Sequence, residues 1–151
     1  MHRLLEIYVV IIQLQPDQIV AVWPGIRDGV EQVGKLVSDS SGIGAIVLAN
    51  LLAGKYQLWV ALSEEREVYG FLITCVSTDS LSGDCYLQIE MVYGFRQSTE
   101  EVVFEVFAKL KAFAKENHCN FISATTSIER AIELMQLVGM KETSRNYAIK
   151  I

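Results

Sequence analysis

The run Cys85–Val92 carries the two polar residues best placed to do chemistry. Its β-branched and aromatic content reads as a strand. Gln88 and Glu90 sit two apart in it, so both side chains leave the same face. A carboxylate held there can take a proton once its surroundings tune its pKa, which makes Glu90 the candidate general base. A few residues on, Arg96-Gln97-Ser98-Thr99-Glu100-Glu101 leads into the clearest helix of the chain. A helix start is an anion site in principle, because its first N–H groups are unpaired and its dipole favours negative charge. Here Ser98 and Glu101 form a capping-box pattern that satisfies those groups from within, and Glu100 and Glu101 add negative charge of their own.

Other chemistries find little support. The only histidines are His2 and His118, and His118 fits a helix end, where it would stabilise the dipole. Cys75, Cys85 and Cys119 are odd in number and widely spaced. They read as buried reduced thiols rather than a disulfide framework or a zinc site, and no cluster of metal ligands is seen. There is no nucleophile elbow, P-loop or dinucleotide fingerprint. Gly42-Ile43-Gly44-Ala45 lacks a third glycine and a preceding strand, and reads as an entry from loop to helix. The 13 Lys and Arg are dispersed and the net charge is -5, with a pI near 5.0. A phosphate-tracking surface needs a basic stripe, so neither nucleic acid nor an anionic membrane is an expected partner. The apolar run Tyr8–Ile12 falls far short of the ~20 residues of a membrane span. Gln13-Leu14-Gln15-Pro16-Asp17 follows it where a signal peptide would have its cleavage site, so a strand is expected and the protein is read as cytoplasmic, not secreted.

The elements that must position these residues follow from pattern. The 151 residues fit one domain, 1–151. Such a chain can bury roughly 68–70% of its unfolded surface without a staple. Hydrophobic residues make up 51% and mean hydropathy is +0.29. That excess implies a well-filled core, or an apolar face buried against a partner or a second copy. Residues 4–13 read as a strand. Asp17 could cap a helix from about Gln18 to Trp23, broken or restarted at Pro24, with a second piece over Gly25–Val33. Ser38–Gly42 is a loop, and Ile43–Leu52 a buried helix stopped by Gly54. Strands over 57–62, 68–76 and 85–92, joined by short polar turns, make an antiparallel meander. Trp23 and Trp59 are expected to be core or groove-wall residues. Val102, Val103, Val106, Phe107, Leu110, Phe113 and Ala114 mark the apolar face of the next helix. A short strand over 120–124, a helix over 129–138 ending at Gly139, and a closing strand Tyr147–Ile151 complete the chain.

This order resembles the GNAT superfamily of N-acyltransferases over residues 4–151. The most specific likeness is Arg130–Glu142, which is similar to the family's last helix, glycine turn and following strand. Gly54–Val60 followed by Val68-Tyr69-Gly70-Phe71 looks like its second and third strands. The resemblance implies a single α/β (α+β) domain with a mixed sheet of about six strands flanked by helices. It implies an acyl-CoA wedged where the fourth strand splays from the fifth. Backbone of Ile89, Met91, Val92 and Tyr93 would hold its arm, and Arg96, Gln97, Ser98 and Thr99 its phosphates. Thr99 and Glu101 stand where the family has small residues, Met135 where many members have a tyrosine acid, Ile128 in place of an asparagine, and Met140 in place of a phenylalanine. Tyr93 and Tyr147 could stand in as proton donors, Tyr147 being the candidate general acid, with Glu90 the base. Two functions are therefore expected. One is a non-catalytic or weakly CoA-binding module that self-associates or docks into a larger assembly and requires no cofactor. Trp23-Pro24-Gly25-Ile26 and Leu58-Trp59-Val60 loosely resemble GNAT-like proteins of tailed phages, which would make such a module virion-associated. The alternative is an acetyl-CoA-dependent N-acetyltransferase acting on a small amine or a protein amine.

Overall fold

A computed structural model describes residues 9–37, 42–95 and 98–151. The chain runs β1 (Val10–Gln13), α1 (Pro16–Val37), α2 (Ile43–Leu52), β2 (Tyr56–Leu62), β3 (Val68–Thr78), β4 (Cys85–Tyr93), α3 (Glu100–Glu116), β5 (Phe121–Ala124) and α4 (Glu129–Leu137). The strands form one sheet in chain order. Its first four are antiparallel neighbours and β5 lies parallel to β4, with α3 as the crossover. The described sheet has five strands rather than about six. Among the described residues the expected closing strand is absent: Tyr147–Ile151 has no strand partner there and is exposed.

The alternation of side chains builds two cores from one sheet. Trp59, Ala61, Leu72, Leu87 and Ile89 point toward α3 and meet Val102, Val106 and Leu110. Leu58, Val60, Phe71 and Ile73 point the other way and meet Ile19, Trp23, Ile26 and Val30 of α1, with Val47 and Leu51 of α2. Both tryptophans are thus core residues. Trp59 Nε1 donates to Thr74 Oγ1 at 3.0 Å, and that hydroxyl donates to Gln57 Oε1 at 2.8 Å, so this buried polar group is satisfied.

Helix α1 corrects the expected break. Pro16 occupies its first turn, where a missing N–H costs nothing, and Gln18 Oε1 accepts the N–H of Gln15 at 2.8 Å. Pro24 lies inside the helix without ending it. Proline there removes one hydrogen bond, but Trp23 and Ile26 on either side are held in the core. Helix α2 is less buried than its composition implies: Val47 and Leu51 are inside, whereas Ile46 and Leu52 face solvent. Three helices stop by the same device, a left-handed residue just past the cap with two reversed hydrogen bonds. That residue is Gly54 after α2, His118 after α3 and Gly139 after α4.

Candidate functional site

Residue pairing along β4 creates the site. Ile73 faces Met91 and Thr74 faces Ile89, so Glu90 is an extra residue, a bulge in the middle of the strand. A bulge bends its strand and re-aims a side chain. On the other edge of β4, pairing with β5 ends at Ile89 opposite Ala124. β4 continues to Tyr93, so its backbone from Glu90 onward has no strand neighbour on that side. The loss of pairing, where β5 itself ends at Ala124, coincides with the bulge.

A narrow apolar slot of about 80 Å³ lies between β4, α3 and α4, walled by Ile89, Val92, Val103, Val106, Leu134 and Met135. Met135 therefore faces this slot with a thioether that cannot donate a proton. Val92 and Tyr93 remain partly exposed at the rim.

Glu90 belongs to the opposite face of the sheet from Ile89, on the side of α1 and α2. As a residue it is exposed, yet the protein around its carboxyl strips enough water to raise its pKa above 4.5. Its neighbour is Tyr56 on β2, whose phenol is held above its ordinary 10.0 by burial first, then by the charge of Glu90, then by Cys75. Tyr56 was not singled out by sequence reasoning. A register of β2 against β3 and of β3 against β4 brings it near Glu90, and no local pattern carries that register. Gln88 shares this face, and its side-chain amide donates to its neighbour's carbonyl, Ile89 O, at 3.4 Å. Farther along lie Tyr86 and Phe121, stacked with ring centroids 5.0 Å apart and planes 3° apart.

The start of α3 differs from the expected cap. Thr99, not Ser98, is the capping residue, and its Oγ1 accepts the N–H of Val102 at 3.4 Å. The third helical position is thus Val102, so Glu101 cannot close a capping box. Thr99 O takes the N–H of Val103 at 3.2 Å. Among the described residues, nothing accepts the N–H groups of Glu100 and Glu101. Ser98 is buried, and among the described residues its hydroxyl has no partner. Arg96 and Gln97, expected to meet phosphates, lie outside the described residues.

The tyrosines considered as proton donors separate widely in character. Tyr93 stacks on Phe71, with centroids 5.3 Å apart, and its hydroxyl donates to Gln32 of α1 at 3.4 Å. Tyr147 is 90% exposed, in the segment without secondary structure. Among the described residues, no group of three or more His, Cys, Asp or Glu could hold a metal ion, and no helix is long and apolar enough to cross a membrane.

Comparison with solved structures bears on the fold. A probable acetyltransferase superimposes with a TM-score of 0.72 at 20% identity, covering 94% of this chain and 97% of its own. An aminoglycoside N-acetyltransferase in complex with CoA does so with a TM-score of 0.72 at 18% identity, covering 96% and 95%.

The chain has the GNAT N-acyltransferase fold.

A ribosomal-protein-alanine N-acetyltransferase from Brucella melitensis biovar Abortus 2308 shares this GNAT fold at a TM-score of 0.69 and 13% identity, over 95% of this chain and 99% of its own. No protein-family model matches the sequence, and no curated protein matches it. The shared GNAT geometry is therefore held by core pattern and strand register, at identities where few individual side chains coincide.

Proposed function

We propose that this chain is an acyl-CoA-dependent N-acyltransferase whose amine acceptor approaches from the face that carries Glu90 and Tyr56. The observation that supports it best is the coincidence of three features at one point of β4: the end of pairing with β5, the bulge at Glu90, and the apolar slot behind Ile89 and Val92. A splayed strand pair exposes backbone donors and acceptors, which are costly to leave unmet unless something pairs with them.

The residues present fit an acyl-CoA in most respects. The free edge of β4 offers amide groups to an extended, amide-bearing arm, the slot offers an apolar lining, and the start of α3 leaves two N–H groups and the buried Ser98 hydroxyl without partners. Glu100 and Glu101 oppose a phosphate there, so a weaker grip than a glycine-lined loop would give is expected. When bound, the group supplies an acyl thioester, an electrophile that an amine can attack.

The chain's own residues supply the rest. Glu90 accepts the proton that an incoming ammonium must lose before it becomes a nucleophile, and its raised pKa makes it a stronger base than an ordinary carboxylate. Tyr56 stays protonated, since burial and the adjacent charge both raise its pKa, and so remains a hydrogen-bond donor next to Glu90. The bulge holds that carboxylate beside the opened strand edge. The stacked Tyr86 and Phe121 continue the same face and offer an aromatic platform to the acceptor.

Two observations favour a second reading, a binding module on the same scaffold: Met135 lines the slot and the first turn of α3 is acidic. The two readings separate in one experiment. Purified protein with acetyl-CoA and a panel of small amines and N-terminal peptides should release free thiol, and Glu90→Gln should slow that release by about 10²–10⁴-fold while leaving acetyl-CoA binding intact. Binding without turnover in the unmodified protein would favour the module.

A further inference from the structure

We propose that Cys85 and Cys119 form a site of reversible oxidation, closing to an intramolecular disulfide when a peroxide reaches them. The two residues are 34 positions apart, yet their sulfurs lie 3.4 Å from each other. Both thiols also point at one carbonyl, Asn117 O, which is 3.7 Å from Cys85 Sγ and 3.9 Å from Cys119 Sγ. A disulfide bond is about 2.05 Å long, so the sulfurs need to close by only about 1.4 Å. Neither is sealed in the core. Both cysteines are half-buried, and Cys119 lines an open groove of about 400 Å³ beside Asn120 and Phe121. A molecule as small as a peroxide has room to enter there.

The backbone on both sides holds this pair in place. Cys85 opens β4, and Cys119 stands two residues before the start of β5. The N–H of Asn120 donates to Cys85 O at 2.7 Å, and its side-chain amide donates to Asp84 Oδ1 at 3.1 Å. One residue further along each strand, Tyr86 pairs with Phe121 and their rings stack. On the other side, the N–H of Cys119 donates to Ala114 O at 2.8 Å, a contact that closes α3 past the left-handed His118. A strand register and a helix stop thus deliver the two sulfurs to one point, and the fold supplies the proximity that a cross-link needs. Cys75 takes no part. It stands opposite Tyr56 on β2 and Gln88 on β4, and Ser77 Oγ donates to its sulfur at 3.5 Å.

Burial first, then the neighbouring Cys85 sulfur, push the Cys119 thiol up to about 11. Cys119 therefore keeps its proton, and Cys85 is the sulfur that attacks. The Cys85 thiolate takes one oxygen of hydrogen peroxide as the O–O bond breaks, and the hydroxide that leaves picks up the proton the thiol had lost. Cys85 is then a sulfenic acid, oxidised by two electrons. The Cys119 sulfur attacks it, the S–S bond forms as the S–O bond breaks, and the Cys119 proton leaves in a second water. Two thiols and one peroxide become one disulfide and two waters, and an added thiol reverses the bond by exchange. The loop closed in this way runs through Glu90, the free edge of β4 and the whole of α3. The staple ties together the two ends of the segment that carries the candidate site, without occupying the site itself.

The test is peptide mapping of the full chain after a small excess of hydrogen peroxide, with and without later reduction by dithiothreitol. Cleavage before Asp79 and Asp84 separates Cys75 from Cys85. The expected product is one cross-linked pair of peptides, Cys85 with Cys119, lighter by two hydrogens than the sum of its parts and split by dithiothreitol. Closing this loop should raise Tm by roughly 5–10 °C, and reduction should reverse the rise. Cys119→Ser should stop at a Cys85 sulfenic acid that dimedone captures, whereas Cys75→Ser should cross-link as the wild type does. Thiols that stay unmodified while added free cysteine is consumed overturn the proposal. So does a cross-link that involves Cys75 or joins two chains, or one that forms no faster in the native protein than in concentrated urea. The mapping of the wild-type protein decides the matter even if Cys119→Ser fails to fold.

Discussion

Glu90 lies close enough to Tyr56 for its charge to raise the phenol's pKa, although the two residues stand on strands separated by β3. Glu90 itself lies at the bulge, between Ile89 and Met91 and without a partner on β3. The site therefore joins a base, a protonated hydroxyl and an opened strand edge through one irregularity of pairing.

The pH dependence of transfer follows from the direction of the shift at Glu90. Burial raises its pKa above 4.5, so the base is lost at a higher pH than for an exposed glutamate, and the rate should fall as pH drops through that titration. Glu90→Gln should lower kcat by about 10²–10⁴-fold, the usual span for a general base, and should abolish the acid limb. Tyr56→Phe removes the hydroxyl that Glu90 faces; if that hydroxyl donates to the bound acceptor, a bond worth about 0.5–1.5 kcal/mol is lost and the rate should fall about three- to tenfold. A pH–rate profile for the three proteins checks both points.

The acidic first turn of α3 should set CoA affinity. Glu100 and Glu101 carry negative charge at a helix start where nothing described accepts their own N–H groups. Replacing both by glutamine should tighten CoA binding by up to about tenfold, the equivalent of ~1.4 kcal/mol. It should also lower Tm slightly, because acidic side chains stabilise a helix N-terminus. Calorimetric titration and thermal melts on the same samples would show the two effects in opposite directions.

The end of α3 stores a small strain that can be released. His118 has φ +58°, in the left-handed region, where it closes the helix with its N–H on Lys115 O at 3.1 Å. A side chain there costs about 1–2 kcal/mol relative to glycine. His118→Gly should therefore raise stability by about 1 kcal/mol, after the entropy that glycine loses on folding is set against it. Urea unfolding monitored by circular dichroism is the check.

Cys119 should be a slow thiol. Its pKa is pushed up to about 11, first by burial and then by Cys85, whose sulfur lies 3.4 Å away. At pH 8 only about a thousandth of it would be thiolate, against roughly a tenth of an ordinary cysteine with the reference value 9.0. Alkylation of Cys119 by iodoacetamide at that pH should lag far behind that of a free thiol. The same shift ties stability to pH. The folded form keeps its proton longer than the unfolded form, whose reference is 9.0. The contribution is therefore complete below pH 9 and is lost as pH rises toward 11.

Much of this fold was legible in residue pattern. The apolar positions of α3 from Val102 to Ala114, the central strands, and the stops at Gly54 and Gly139 all appear where periodicity and turn chemistry put them. The failures share a cause, which is that tertiary packing outweighs local signals. Pro24 breaks a helix in isolation, but flanking Trp23 and Ile26 are locked into the core. Ser98 and Glu101 match a capping pattern, but the helix starts one residue later and Thr99 takes the role. Tyr147–Ile151 has the alternation of a strand, and alternation cannot say whose edge it will meet. For the site, Glu90 was visible as a carboxylate on a strand. The bulge that aims it and the nearness of Tyr56 were not, because both arise from pairing between segments far apart in sequence.

The claim on which the function rests is that the parting of β4 from β5 makes room for an acyl-CoA. Calorimetric titration of the folded protein with acetyl-CoA tests this most directly, with Ala131→Trp made to fill the slot beside α4. Saturable binding with Kd below about 1 mM, lost in a variant that retains its native circular dichroism, is the expected result. Absence of binding to the unmodified protein at millimolar ligand, or binding that Ala131→Trp leaves unchanged, would contradict it.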